Sequence, residues 1–461
     1  MNVRALAIYL GPDLPQRPQL RVGVLFQYAL PGSEVIHRFV ADEAFARLPR
    51  APVLSARFLA ATPEDQRALW AAVRNPHFNG RYSARHGWLL PAFFQNLLPE
   101  GVFRDHVAAL RRCDPQDHFE MLAACGLDLP GHVYARPVEL SRDELAHYVT
   151  QDNDALEMSV TAEPLDEGVS LSGVQPKLAV IREGERYVGR TRTRDTHIIA
   201  KLPVVGQPYL PEVEDLSLRL AAAAGVRACR ATLEPLSSLA VEHGYDLGDA
   251  EAEAHFLAVV RYDRAPGLRV HCEDFAQVLG VMPEDKYQGA SYLNVAGALM
   301  SLPSLGEPAV HELLRRVAVN ELLGNPDMHL KNIGLRYPDG VTPELAPAYD
   351  IVAYAAYGKI TGHGLRLLPE PDEAGGVKPR LTPPVLREFC ARLGLAEKPA
   401  SGMLRACVRA ALDTWPGMIE ASLLTVRQKE RLLAHFHAHP WIEQVQRRRA
   451  GRTVADDKPA G

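Results

Sequence analysis

Asn325-Pro326-Asp327-Met328-His329-Leu330-Lys331-Asn332, followed eighteen residues later by Asp350, is the stretch on which the fold of this chain turns. An Asp and an Asn separated by four residues have the spacing of a phosphotransferase catalytic loop. There the carboxylate accepts the proton of the attacking hydroxyl and the carboxamide oxygen holds a magnesium ion. Asp350 would hold the metal from the other side. Leu314, Val317, Ala318 and Leu322 recur at helical spacing, and Gly324 with Asn325-Pro326 stops that helix, so Asp327 opens a loop. Residues 333–337 then read as a strand, Pro338-Asp339-Gly340 as a turn, and residues 344–352 as a return strand that brings Asp350 beside Asn332. Alone, such a pattern is more often a capped turn than a metal site. The elements upstream change its weight.

Ser170-Leu171-Ser172-Gly173-Val174-Gln175-Pro176-Lys177 is a small, polar loop leading into the apolar run Leu178-Ala179-Val180-Ile181. A glycine-containing loop between strands exposes backbone N–H groups that can cradle phosphates, and Lys177 adds positive charge. About twenty residues on, His197-Ile198-Ile199-Ala200-Lys201-Leu202-Pro203 is an apolar strand carrying one lysine. Read structurally, Lys201 is a snorkelling edge residue; read functionally, it is the phosphate-binding lysine. Such a lysine needs a carboxylate, and Glu214 lies early on a helix that begins near Pro211 and stops near Gly225. A strand lysine paired with a glutamate on the next helix positions nucleotide phosphates in protein kinases. Phe256-Leu257-Ala258-Val259-Val260-Arg261-Tyr262 then has the character of the strand that leads into an adenine-contacting hinge. Loop, lysine, glutamate, hinge strand, Asp/Asn pair and Asp occur in kinase order.

With these elements in place, the chain resembles the HipA family of bacterial toxin serine/threonine kinases, from type II toxin–antitoxin modules, over most of residues 1–440. The resemblance is carried by residues 170–177, by Thr196-His197-Ile198-Ile199-Ala200-Lys201, by Arg261-Tyr262-Asp263-Arg264, by residues 327–332 and by Ala348-Tyr349-Asp350. Upstream, Phe93-Phe94-Gln95-Asn96-Leu97-Leu98-Pro99-Glu100 and Asp117-His118-Phe119-Glu120-Met121-Leu122 look like the family's N-terminal subdomain. The resemblance implies Asp327 as catalytic base, Asn332 and Asp350 as magnesium ligands, and Glu214 as the ion-pair partner of Lys201. ATP would be contacted by Ser172, Gly173, Val174, Gln175, Pro176, Lys177, Lys201, the hinge residues Val260, Arg261 and Tyr262, and His329, Lys331, Asn332 and Tyr349. Ser170 aligns with the family's autophosphorylated serine, with Ser172 as the competing candidate. Adding up to about two negative charges beside ATP phosphates and carboxylates would expel that loop. Val260 stands where the best-known member has a hinge glutamate, and one extra residue separates His197 from Lys201. In a strand, a one-residue slip reverses side-chain facing.

The resemblance further implies ATP and Mg2+ as cofactors, a small helix-turn-helix antitoxin (HipB-like) that binds operator DNA, and growth arrest by phosphorylating a translation component such as an aminoacyl-tRNA synthetase. Two other readings stay open: a catalytically weak corepressor subunit of the antitoxin complex, and a kinase for a small molecule or lipid head group, since a fold does not fix the acceptor.

The 461 residues, 47% hydrophobic and 23% charged, suit a globular protein of two or three packed subdomains. A net charge of -5 argues against autonomous nucleic-acid binding, so any DNA role is indirect. Six scattered cysteines contain no C-x-x-C pair, and none of the 17 histidines opens the H-E-x-x-H motif of a zinc hydrolase. No apolar run approaches the roughly twenty residues that span a bilayer, and the first residues lack a signal-peptide core, so a reduced, cytoplasmic protein without a membrane role is expected.

The expected fold class is α+β: a two-lobed, protein-kinase-like (HipA-like) fold with an N-terminal α/β subdomain and a mainly helical C-terminal lobe. Its expected divisions are an N-terminal subdomain over residues 1–150, a nucleotide-binding lobe with the phosphate loop over 151–262, a helical catalytic lobe over 263–445, and a disordered tail over 446–461. Helical patterns are expected across residues 64–106, a linker over 151–168 and a surface loop over 369–384.

Overall fold

The computed structural model describes residues 2–11, 19–29, 34–148, 157–166, 168–171, 173, 175–190, 195–241, 243, 245–247, 254–265, 268–359, 363–369 and 380–447. Ser172 and Val174 of the expected phosphate loop lie outside them. So do most of the expected tail, the middle of the 369–384 segment, and residues 151–156 and 167 of the expected linker.

The N-terminal region is built on an antiparallel sheet in the order Val35–Ala41, Leu20–Ala29, Asn2–Leu10, Val133–Pro137. Alternation along Asn2–Leu10 explains its two covered faces. Leu6, Ile8 and Leu10 pack into an aromatic-rich core with Phe39, Phe58, Trp70, Phe93 and Phe94, while Val3 and Ala5 pack against Tyr28, Leu140, Leu145 and Tyr148 on the other side. Glu157–Met158 pairs in parallel with Asn2 and Val3, so chain beyond residue 150 still belongs to this sheet. Helices do not run through residues 64–106 as one pattern. Pro63–Ala71 and Gly101–Arg111 are separated by a short hairpin, Arg81–Ser83 with Gly87–Leu89, and by the single turn Ala92–Gln95.

A second, six-stranded sheet has the order Ala231–Pro235, His255–Val260, Ile198–Lys201, Lys177–Glu183, Arg186–Val188, Leu239–Ala240. The helix Leu210–Ala223 packs on it, through Leu216 and Leu220 among others, in the same core as Leu257 and Val259. Helices dominate after residue 274: Tyr292–Ser301, Gly306–Leu323, Pro383–Arg392, Glu397–Glu420 and Val426–His437. One continuous core runs through them and into the Leu210–Ala223 helix, where the Trp415 indole donates to the Leu220 carbonyl at 2.8 Å.

The three-stranded sheet His271–Asp274, Gly334–Tyr337, Glu344–Leu345 carries the 325–350 segment. Its return strand is far shorter than residues 344–352. Only Glu344 and Leu345 pair, opposite Arg336 and Leu335, and the chain then runs irregularly, its backbone turning left-handed at Asp350 (φ 54°). The departure has a physical reason: Ala346 and Ala348 use their N–H groups on the Gly334 and Arg227 carbonyls, outside a regular ladder.

A buried ionic knot ties the N-terminal region to the second sheet. Asp128 receives Arg264 at 2.7 Å and the Thr196 hydroxyl at 2.9 Å, with Arg261 at 3.5 Å, while Asp263 receives Arg261 at 2.9 Å and the Gly131 N–H at 2.8 Å. Burial alone would raise the Asp128 carboxyl, but the surrounding guanidiniums hold it down to about 2. Removing one partner of such a cluster strands a buried charge, so it joins the regions in a fixed relation.

Candidate active site

The helix Gly306–Leu323 ends at Gly324, whose left-handed φ of 65° suits glycine at a helix C-terminus. Asn325 then accepts the Asp327 N–H on its side-chain oxygen at 3.0 Å and donates to Asn320 at 2.6 Å. The loop is held open at Asp327 by polar side chains rather than by regular structure. At its far end the Asn332 amide donates to the Asp327 carbonyl at 2.8 Å, closing the Asp-x-x-x-x-Asn turn on itself.

Lys201 opposes Lys177 on one neighbouring strand and Leu257 on the other. In this register its buried ammonium hydrogen-bonds both Glu214, from the Leu210–Ala223 helix, and Asp350, from the 325–350 segment. One cation therefore joins the strand sheet, its helix and the helical part. Burial disfavours the Lys201 charge, yet Asp350 and Glu214 raise its pKa well above the ordinary lysine value. For Asp350, burial pushes upward, and Lys201 and Lys177 outweigh it, leaving the carboxyl well below the usual range. Asp327 moves the other way. Burial raises it and nearby Asp350 adds to this, against the lowering effect of the Tyr287 hydroxyl.

Two adjoining clefts meet at Lys177, Lys201, Lys331 and Asp350. One is a slot bordered by Ile199, Cys229, Val259, Val260, Tyr262 and Tyr349. The Tyr262 and Tyr349 rings stack 5.5 Å apart, and the Tyr349 hydroxyl donates to the Lys331 carbonyl at 2.7 Å. The other cleft is bordered by Gly173, Gln175 and Pro176 as well as by Asp327, His329 and Asn332. Gly173 has φ 96°, a backbone conformation that favours glycine, and it lies close to the Lys177 ammonium. His329 is buried, and burial with Lys286 nearby lowers it to about 4, so its imidazole is neutral.

Several expected ATP contacts are engaged elsewhere. The Arg261 guanidinium is spent on Asp263, Asp128 and Thr196, and the Val260 and Arg261 N–H groups bond the Arg230 and His197 carbonyls. The Lys331 ammonium donates to the Asn96 carbonyl at 2.9 Å and to Asp274 at 3.0 Å, with Glu100 at 3.6 Å. Lys331 thus borders the cleft while its charge anchors the loop to residues 96–100. Ser170 is buried, its hydroxyl donating to the Leu97 carbonyl and its N–H to the Asp128 carbonyl at 3.1 Å. The same N-terminal segment therefore grips both the Ser170 segment and the 327–332 loop.

Lys286, Tyr287, Glu100 and Asp128 are site residues that the sequence did not reveal. Lys286 donates to Glu100 at 2.8 Å and its carbonyl accepts the Leu330 N–H at 3.2 Å. The Tyr287 hydroxyl donates to Asp327. No spacing signal links these positions, because the contacts cross from 40 to 186 residues of chain. Glu100 had a signal only in the run of residues 93–100 to which it belongs.

Against known proteins, residues 169–415 match the model of the HipA-like C-terminal domain and residues 18–136 that of the HipA N-terminal domain. The chain belongs to the HipA family. It is 35% identical over 275 residues to the Sinorhizobium fredii protein named "Putative kinase Y4dM", covering 59% of this chain and 64% of that one. To the serine/threonine-protein kinase toxin HipA of Shewanella oneidensis it is 26% identical over 293 residues, covering 58% and 63%. The chain thus spans a little under two thirds of the length of these HipA-like relatives. The solved complex of S. oneidensis HipA with HipB and operator DNA aligns over 95% of this chain and 99% of that HipA chain, with a TM-score of 0.63 at 19% identity. The fold is accordingly the two-lobed, kinase-like α+β fold of HipA.

Among the described residues, all six cysteines are free thiols, no helix is long and apolar enough to cross a membrane, and no three His, Cys, Asp or Glu side chains are grouped to hold a metal. Asp350, Asn332 and Asp327 are among the oxygen donors that border one cleft, which Glu100, Gln175 and Gln207 also line. The first three fit magnesium, which keeps several waters and is shared between one or two carboxylates and substrate phosphates.

Proposed function

We propose that the chain is a Mg-ATP-dependent serine/threonine protein kinase acting as the toxin of a type II toxin–antitoxin pair. The observation that carries this reading is Lys201, which joins Glu214 and Asp350 on the cleft that also holds Asp327 and Asn332. Asp327 orients the acceptor hydroxyl and takes its proton. Lys201 and Lys177 hold the phosphates in line, and the Gly173 loop closes over them. Asp350 and Asn332 would hold magnesium, whose charge offsets that developing on the phosphates. The adenine would lie in the slot beside Val259, Val260 and Tyr262, with Tyr349 and His329 bordering the site. Arg261 and Lys331 serve this site by bracing it.

The acceptor is a protein hydroxyl, and growth arrest would follow from phosphorylating a translation component such as an aminoacyl-tRNA synthetase in the cytoplasm. A helix-turn-helix antitoxin (HipB-like) would bind the chain and bring it to operator DNA, which a net charge of -5 does not favour by itself. Ser170 is the proposed autophosphorylation site, and phosphate there would break its contacts with Leu97 and Asp128 and release the loop. Incubating the purified protein with γ-labelled ATP, magnesium, a cell lysate and a panel of small hydroxyl metabolites tests the acceptor class. Label in the protein fraction, abolished by a chelator, is the expected result; label confined to metabolites would overturn it.

A further inference from the structure

In the kinase reading, on which this inference rests, the acceptor hydroxyl must donate a hydrogen bond to Asp327. In this structure that bond is made by the protein itself, because the Tyr287 hydroxyl donates to Asp327 Oδ1. We propose that Tyr287 occupies the acceptor position of the free enzyme, taking the place on Asp327 Oδ1 that a water molecule would otherwise hold until a substrate hydroxyl displaces it.

The surroundings support an occupant that can leave. Tyr287 follows the turn Pro283–Asp285, which is fixed to the catalytic loop by the Leu330 N–H on the Lys286 carbonyl and to the N-terminal region by Lys286 on Glu100. The backbone therefore delivers the side chain to one place. The residue is 38% exposed, so its side chain has solvent to turn into. Its ring meets that of His329 edge to face, at 4.7 Å and 87°, with the Lys286 ammonium 5.8 Å from its centre. It borders the same cleft as Gly173, Lys177, Asn332 and Asp350, where phosphate and acceptor would meet. A rotation about its own side-chain bonds would vacate the carboxylate without disturbing the turn.

Water is the competing acceptor in any kinase, and a hydroxyl parked on the base denies it that position. Serine or threonine on a docked partner makes the same bond and gains further contacts, so it can replace the tyrosine where water cannot.

The test is ATP hydrolysis without acceptor, with Mg-ATP as the probe, comparing wild type with Tyr287→Phe, which keeps the ring against His329 and removes only the hydroxyl. The expected result is a rise of about tenfold in kcat, the scale of one hydrogen bond to a charged group, with KM for ATP unchanged and the rise lost in Tyr287→Phe/Asp327→Ala. Should Tyr287→Phe not be recovered folded, Tyr287→Leu removes the same hydroxyl and carries the same expectation. Hydrolysis equal to or below wild type would overturn the proposal and make Tyr287 a support of Asp327. The kinase reading is judged separately by wild-type phosphate transfer and its loss in Asp327→Ala, so a null result with Tyr287→Phe falls on Tyr287 alone.

Discussion

Replacing Asp327 by alanine lowers phosphate transfer by about a hundredfold to ten-thousandfold, the contribution of a positioned general base, while ATP still binds. The expectation follows from where the residue sits. Asp327 borders the cleft, but its backbone is held independently of its carboxylate, by Asn325 on its N–H and by Asn332 on its carbonyl. Truncation to alanine therefore removes the proposed proton acceptor and leaves the loop's own hydrogen bonds intact. Transfer to a protein acceptor is read from labelled ATP, and binding from calorimetric titration with Mg-ATP. Wild-type turnover in this variant would remove Asp327 from the reaction.

Lys201→Met carries the second large effect. The methionine fills nearly the same volume but removes the cation shared by Glu214, buried behind the cleft, and Asp350, which borders it. Loss of one preorganised electrostatic contact lowers kcat by about a hundredfold to a thousandfold. Stability falls as well. Glu214 is fully buried and, among the described residues, its second oxygen has no hydrogen-bond partner, so an uncompensated carboxylate there costs about 3–5 kcal/mol. Urea unfolding followed by circular dichroism checks the stability term, and transfer measured at saturating ATP on the folded variant checks the rate. Unchanged kcat with lowered stability would reduce Lys201 to a structural brace between the sheet and the helical part.

Much of this arrangement was legible in the sequence because it is written locally. The apolar periodicity of residues 314–322, the stop at Gly324 and the apolar strand around Lys201 all depend on neighbours in the chain, and the helix Leu210–Ala223 opens at Pro211 as its proline requires. The pairing of Lys201 with Glu214 followed from motif order, and the extra residue before Lys201 did not turn it away from the cleft. The return strand after Gly340 was overextended because an apolar, alanine-rich run reads as a strand even where its N–H groups serve other partners. Arg261 and Lys331 look like nucleotide contacts in a motif, yet their partners Asp128 and Asn96 lie 133 and 235 residues away. Tyr287 had no linear signal at all, since a turn tyrosine gains meaning only from the carboxylate it meets.

The N-terminal region emerges as more than an appendage. Through residues 96–100 and Asp128 it holds Ser170, Lys331, Arg261 and Arg264 together. Phosphorylation of Ser170 would act on a loop secured by that region, which gives the charge added there a specific set of contacts to break.

Intact-mass spectrometry of the purified protein after incubation with Mg-ATP, beside Asp327→Ala and Ser170→Ala, tests the kinase reading most directly. The account predicts the gain of one phosphate in the wild type, mapped to Ser170 and absent from both variants. No gain in a wild-type protein that binds Mg-ATP, or an undiminished gain in Asp327→Ala, would contradict it.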